Sequence, residues 1–282
     1  SAVTHARPLP RRAMAALSTA RQAARHAARP RRGSTHAGPG VARAVSRAAP
    51  EAEPFPSFLP PAVEELEEPA AAAMARKMRQ VGVTVPGFAG PVPTSFVGPE
   101  GPGSGGASGT PFLLLHGFDS SCLEFRRLYP ILSRDADAWA VDMLGWGFTD
   151  GGPGEYSPET KRAHLYSFWR ENIAVPVVLV GASVGGAAAI DFAASHPEAV
   201  ERIVLVDAQG YVDGLGPMSL MPTPVAKAGA NVLRSRLLRR LANKMAYADK
   251  ERFPTEDAMR VGRLHCETDG WLDNTVRWMQ SG

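Results

Sequence analysis

From residue 111 onward, short apolar runs alternate with longer mixed segments. The runs fall at 111–115, 138–142, 177–180 and 202–206. Segments of helical length and pattern lie between or after them, at 121–132, 158–173 and 184–195. The runs are continuously apolar rather than alternating, as strands are when both faces of a parallel sheet are covered. Helical crossovers are what parallel neighbours require. The pattern predicts a doubly wound α/β domain with a mostly parallel sheet.

The flanks read differently. Residues 1–50 read as a basic segment expected to be disordered, and 51–91 read as a linker with a short helix. That helical pattern, 62–81, opens on Glu64, Glu65, Glu67 and Glu68 and is interrupted by Pro69. Short strands are expected near 81–85 and 94–97, and 98–109 is a Gly/Pro/Ser loop. The domain core is expected over 92–207. Residues 208–282 look helical throughout, without a clear strand. In them Leu233, Leu237, Leu241 and Met245 recur every four residues, giving one apolar stripe, with Arg234, Arg236, Arg239, Arg240 and Lys244 on other faces. No apolar run approaches the roughly 18 residues of a membrane-spanning helix.

Charge sharpens this division. The chain of 282 residues has a formal net charge of +3, but residues 1–50 hold ten arginines and no acidic residue. The remaining 21 Lys and Arg face all 28 Asp and Glu. The folded part is therefore acidic, which argues against nucleic acid as its partner. The Arg- and Ala-rich start resembles an organelle transit peptide, pointing to the plastid stroma or, alternatively, the mitochondrion; a basic tail without an address is the plainer reading. Cys122 and Cys266 are the only cysteines. Two isolated thiols form no zinc pattern or disulfide framework and fit a reducing compartment. Cys122 opens a helical pattern and reads as a packing residue.

The most specific chemical signal is Gly181-Ala182-Ser183-Val184-Gly185. It follows the apolar run 177–180 and opens the helical pattern 184–195. A strand, a sharp turn and a helix are the context in which Gly-x-Ser-x-Gly is a nucleophile elbow. Both glycines are needed because a Cβ there would collide with the neighbouring helix or strand.

Four pieces together resemble the α/β-hydrolase family over about residues 92–282: the run ending in Leu115-His116-Gly117-Phe118, the loop Asp142-Met143-Leu144-Gly145-Trp146-Gly147, the elbow, and Ile203-Val204-Leu205-Val206-Asp207. The phrasing from His116 to Phe125 is most similar to plant and algal plastid members. The resemblance implies a serine hydrolase that forms an acyl-enzyme with a small apolar ester or other acyl substrate and needs no metal or cofactor. Ser183 would be the nucleophile, and the backbone amides of Phe118 and Val184 the oxyanion hole. His116 and Gly117 would support that loop, and Asp142 would organise the next. A serine at the elbow argues against epoxide hydrolases and haloalkane dehalogenases, which use a carboxylate.

The family's acid and base follow the nucleophile in the order Ser, acid, His. Both are expected beyond Gly282, so the sequence reads as C-terminally incomplete. Within it, Asp207 is the candidate acid. His164 is expected on a surface helix, and His196 is remote at the end of the nucleophile helix. His265 lies among the helices expected to form a cap. Met218, Leu220, Met221, Trp271 and Trp278 would either line an apolar pocket or form ordinary core between cap helices. The Arg-bearing stripe reads as a solvated face, with contact to anionic lipid as its alternative. Without a base for Ser183, a non-catalytic domain that binds a ligand or a protein is the rival of the enzyme.

Overall fold

Six strands form one sheet in the computed structural model, which describes residues 53–99, 109–210 and 219–281. In chain order they are β1 (Arg79–Val83), β2 (Val92–Val97), β3 (Phe112–Leu115), β4 (Ala138–Val141), β5 (Val177–Ala182) and β6 (Val200–Val206). Across the sheet the order is β1-β2-β4-β3-β5-β6. The β1–β2 and β2–β4 pairings are antiparallel, and β4, β3, β5 and β6 run parallel. From β3 the chain goes to β4 on one side and later returns to β5 on the other. The carboxyl ends of β3 and β5 therefore flank a topological switch point, where such sheets bind ligands.

Period-two geometry explains why these strands are apolar throughout. Leu113, Leu115, Val177 and Leu179 point to one face, where they pack with Leu165 and Phe168 of α3 (Pro158–Asn172) and Phe192 of α4 (Val184–Ser195). Leu114, Val178 and Val180 point to the other, with Ala71, Met74 and Ala75 of α1 (Pro69–Arg76) and with Leu123 and Phe125. Strand β6 is the edge among the described residues, and Ile203, Val204, Leu205 and Val206 on it are exposed.

Residues 219–281 are helical, as expected: α5 (Thr223–Leu233), α6 (Arg236–Ala246), α7 (Glu256–Leu264) and α8 (Trp271–Gln280). α5 and α8 share a small core of Ala226, Ala230, Cys266, Trp271 and Val276. α7 reaches back to the sheet layer through Val261 and Leu264. Its Asp257 carboxylate accepts the backbone N–H groups of Glu67 and Glu68, at 3.1 and 2.6 Å, where α1 begins.

Several expectations are corrected. The segment 51–91 is no linker: β1 is the antiparallel edge strand, and Leu59, Val63, Met74 and Met78 are core. The helix expected at 121–132 is a 3-10 turn, Cys122–Arg127, followed by the one-turn α2 (Tyr129–Leu132). Pro130 has no N–H for a continuous ladder. His164 is not at the surface. It is 1% exposed, lies within hydrogen-bonding distance of Thr94 Oγ1 at 2.7 Å, and is pushed down to a pKa of about 4 by burial. The stripe is interrupted: Leu233 ends α5, and the Ser235 hydroxyl accepts from Leu238 N–H to start α6. Among the pocket candidates, Trp278 is buried in the main core, Trp271 is buried in the small α5–α8 core with Met221 packed against it, and Leu220 is exposed. Met218, the segment 1–50 and most of the loop 98–109 lie outside the described residues.

Candidate active site

Ser183 occupies the junction of β5 and α4 with φ 51° and ψ −117°. A side chain at positive φ is sterically costly and persists only where the surroundings impose it. Here the packing does so. A Cβ on Gly181 would overlap the carbonyl of Gly185, and one on Gly185 would overlap those of Leu115 and His116. The two glycines let α4 start directly against β3 and β5, and the serine absorbs the bend. Its own backbone is tied down: Ser183 N–H donates to Val206 O at 3.0 Å, and its carbonyl accepts from Gly186 and Gln209.

The β3–β5 register sets Leu115 beside Gly181, so the residues following each strand meet. A Cβ on Gly117 would stand 3.5 Å from Ser183 Cβ. The Phe118 amide and the Val184 amide, first in α4, donate no hydrogen bond among the described residues. Both remain available beside an exposed serine. The Gly117 amide is engaged, donating to Glu124 Oε2 at 3.0 Å.

His116 braces this loop from below. It is fully buried, and its Nε2 accepts Met143 N–H at 3.1 Å. Nδ1 therefore carries the proton and donates to Gly117 O at 2.9 Å. Burial pushes its pKa down to about 4, so the 4.0 Å approach to Asp142 is not an ion pair. Asp142, buried and pushed up to about 6, accepts the amides of Cys122 and Phe148 and so fixes two loops at once. The Cys122 thiol is driven up by burial and is no nucleophile.

A second cluster, invisible in the spacing of the sequence, centres on Asp119, next to Phe118. Asp119 has φ 47° and is 4% exposed. Its Oδ1 accepts from His265 Nε2 at 2.9 Å and from Trp271 Nε1 at 2.8 Å, and its Oδ2 pairs with the Arg239 guanidinium. Arg239 also donates to Leu233 O, Gly262 O and the Asp119 carbonyl. Burial raises the Asp119 carboxyl, but the His265 bond and the two positive charges overcome it and hold the pKa below the ordinary value. Burial likewise opposes the charge on His265, yet the Cys266 sulfur and the Asp119 carboxylate carry its pKa up to about 9. Asp119, His265 and Cys266 lie close enough to ligate a metal ion, but the Arg239 guanidinium contacts both Asp119 and Cys266. The donor set fits that fixed cation and not a metal.

An aromatic column extends from the loop. Phe118 meets Trp146 edge-on, Trp146 stacks on Trp278 at 3.7 Å, and Lys161 Nζ lies 3.5 Å over Trp278.

The sequence candidates thus divide. His116, Gly117, Phe118, Ser183 and Val184 come together. Asp207 sits exposed just beyond β6 and has no hydrogen bond to a histidine among the described residues. His265 is committed to Asp119, His196 stacks on Tyr166 with ring centroids 4.0 Å apart, and no described histidine hydrogen-bonds Ser183. Glu124 and Asp119 were not anticipated. A polar run directly after His-Gly was the signal available for both.

A doubly wound sheet with a strained serine at the strand-to-helix turn, beside two amides unengaged among the described residues, is the arrangement of the alpha/beta hydrolase fold. The alpha/beta hydrolase fold family model matches residues 110–268. The chain is 38% identical over 251 residues to the alpha/beta hydrolase domain-containing protein VTE7 of Arabidopsis thaliana, covering 86% of this chain and 74% of that protein. It is 37% identical over 116 residues to a 2-hydroxy-6-oxo-2,4-heptadienoate hydrolase of Pseudomonas putida, covering 38% and 42% of the two chains. A thermophilic esterase from Thermogutta terrifontis superposes with a TM-score of 0.53 over 72% of each chain at 17% identity, a likeness of fold alone. The chain belongs to the alpha/beta hydrolase fold family. Its relatives carry hydrolase names, and hydrolysis is the activity class they support.

Proposed function

We propose that the protein is a serine hydrolase acting on a small apolar ester or other acyl substrate. In this reading Ser183 Oγ attacks the acyl carbonyl. The bond from that carbon to the leaving group breaks, and the leaving group departs with the serine proton. Water then cleaves the acyl-enzyme to the free acid and the restored Ser183 hydroxyl. The Phe118 and Val184 amides stabilise the oxyanion, the step in which preorganised donors contribute most. His116 and Gly117 hold the Phe118 amide in place. The observation that carries the reading is the strained φ of Ser183 beside two amides that no other group among the described residues uses. Strain of this kind is retained where it aims a side chain. The name of the P. putida hydrolase reported above puts a 2-hydroxy-6-oxo-2,4-dienoate within the range of substrates to test.

One observation favours a second reading, a binding domain without catalysis. The Ser183 hydroxyl has no hydrogen-bond partner among the described residues, and a serine needs a base to become a nucleophile. A fluorophosphonate probe separates the two. Labelling of the folded protein that disappears in Ser183→Ala supports the hydrolase; a folded, unlabelled wild type supports the binding domain. Composition further supports a plastid address for residues 1–50, with the mitochondrion as alternative. Import of the labelled chain into isolated chloroplasts but not mitochondria is the expected result.

A further inference from the structure

The C-terminal helices carry an apolar stripe that faces away from the protein. α6 packs through Leu238, Arg239 and Asn243, all half-buried, and has no fully buried residue. Leu237, Leu241 and Met245, on the opposite side, are 78%, 53% and 74% exposed. Turned about 100° round the same helix stands a basic row, Arg236, Arg240 and Lys244. α5, in contact with α6, adds exposed Val225 and Val232 at helical spacing, and Leu220 precedes it. A helix folded with its large apolar side chains in water and its arginine inside is inverted for a soluble surface. Such uncovered faces mark contact sites.

Charge names the partner. Residues 219–281 carry 11 Lys and Arg against 7 Asp and Glu, whereas the described residues before them carry 10 against 18. Arg236 and Arg240 pair with Glu65 and Glu256, but Arg234 and Lys244 join no ion pair among the described residues. Among the described residues the positively charged part is thus the part with the bare apolar stripe. A second copy docked face to face would oppose two positive surfaces, while an anionic bilayer accepts the stripe into its interface and the cations among its headgroups. We propose that α6, with the exposed side chains of α5, is a docking surface for an anionic lipid bilayer. This stands independently of the role given to Ser183; together the two would place acyl hydrolysis at a lipid surface.

The test uses the full chain and sedimentation with vesicles of phosphatidylcholine alone or mixed with phosphatidylglycerol. Binding to the mixed vesicles, weakened by salt and much weaker on phosphatidylcholine, is expected. Leu237→Asp with Leu241→Asp should weaken binding about tenfold or more for each leucine withdrawn from the interface. Lys244→Glu should weaken it about fivefold or more. These side chains are exposed, so the melting temperature should stay near that of the wild type. Absence of binding to anionic vesicles overturns the proposal, as does undiminished binding by the double variant. A concentration-dependent dimer that Leu237→Asp dissolves would show that a second copy covers this face, and would equally overturn it.

Discussion

Replacing Asp119 by Asn removes one charge from a buried cluster and leaves two cations facing an amide. The carboxylate is 4% exposed and serves His265, Trp271 and Arg239 at once. An Asn keeps one acceptor and places an NH2 group against donors. Breaking a buried pair in this way costs roughly 3–5 kcal/mol, since the remaining charge is left uncompensated. The same cluster dictates a pH dependence. His265 has a pKa of about 9 in the fold against an ordinary value of 6.5. A raised folded pKa means that its stabilisation is complete below pH 6.5 and lost as pH climbs through 9, a difference on the order of 3 kcal/mol. Lys161 acts in the opposite sense, because burial lowers its pKa from 10.5 to about 7 and stability recovers as pH rises above 7. Comparing wild type with Asp119→Asn cancels the lysine contribution. Urea unfolding followed by tryptophan fluorescence should show a large deficit for the variant at pH 6.5 that narrows toward pH 9 and above. A deficit below about 1 kcal/mol, or one independent of pH, would refute this account of the cluster.

Ser183→Gly should raise stability by about 1 kcal/mol through relief of the positive φ while abolishing probe labelling; unchanged or lower stability by thermal unfolding would show that the turn is not strained. Gly185→Ala should destabilise by about 3 kcal/mol or more, because its Cβ meets backbone carbonyls that cannot move aside; a fully folded variant with normal labelling kinetics would contradict the packing described. Raising pH through about 7 should discharge Lys161 above Trp278 and change the indole emission. Lys161→Met should abolish that transition, and its persistence would assign it elsewhere.

What the chain discloses in advance depends on how local the cause is. The elbow was legible because everything that shapes it lies within a few residues: an apolar run, two glycines and a helix of small side chains. The sheet layers followed from the same continuous runs. A short strand was legible near 81–85, but its start at Arg79 and its place at the sheet edge were not, since β1 is short, half exposed and defined mainly by its pairing with β2. The burial of His164 depends on Thr94, 70 residues earlier. The Asp119 cluster joins residues 120 to 152 positions away, which no local pattern encodes. The part of the four-residue stripe from Leu237 to Met245 does fall on one amphipathic helix, with Leu233 left on α5, but periodicity reports that two faces differ and not which one turns inward. Arg239 decides that, by reaching Asp119.

The two halves of the site are consequently held by different forces. Ser183 and the Val184 amide are fixed by contact: Gly181 and Gly185 leave no other path for the backbone, and steric constraints of that kind respond little to pH or salt. The Phe118 amide is held between neutral His116, whose bonds are equally indifferent, and Asp119, whose hold is ionic and reaches into the C-terminal helices. Conditions that discharge His265 should therefore loosen the Phe118 side of the proposed oxyanion hole before they disturb the elbow. A probe that needs only the serine and one that also mimics the oxyanion would then part company as pH rises toward 9, the second losing affinity while the first still finds Ser183 in place.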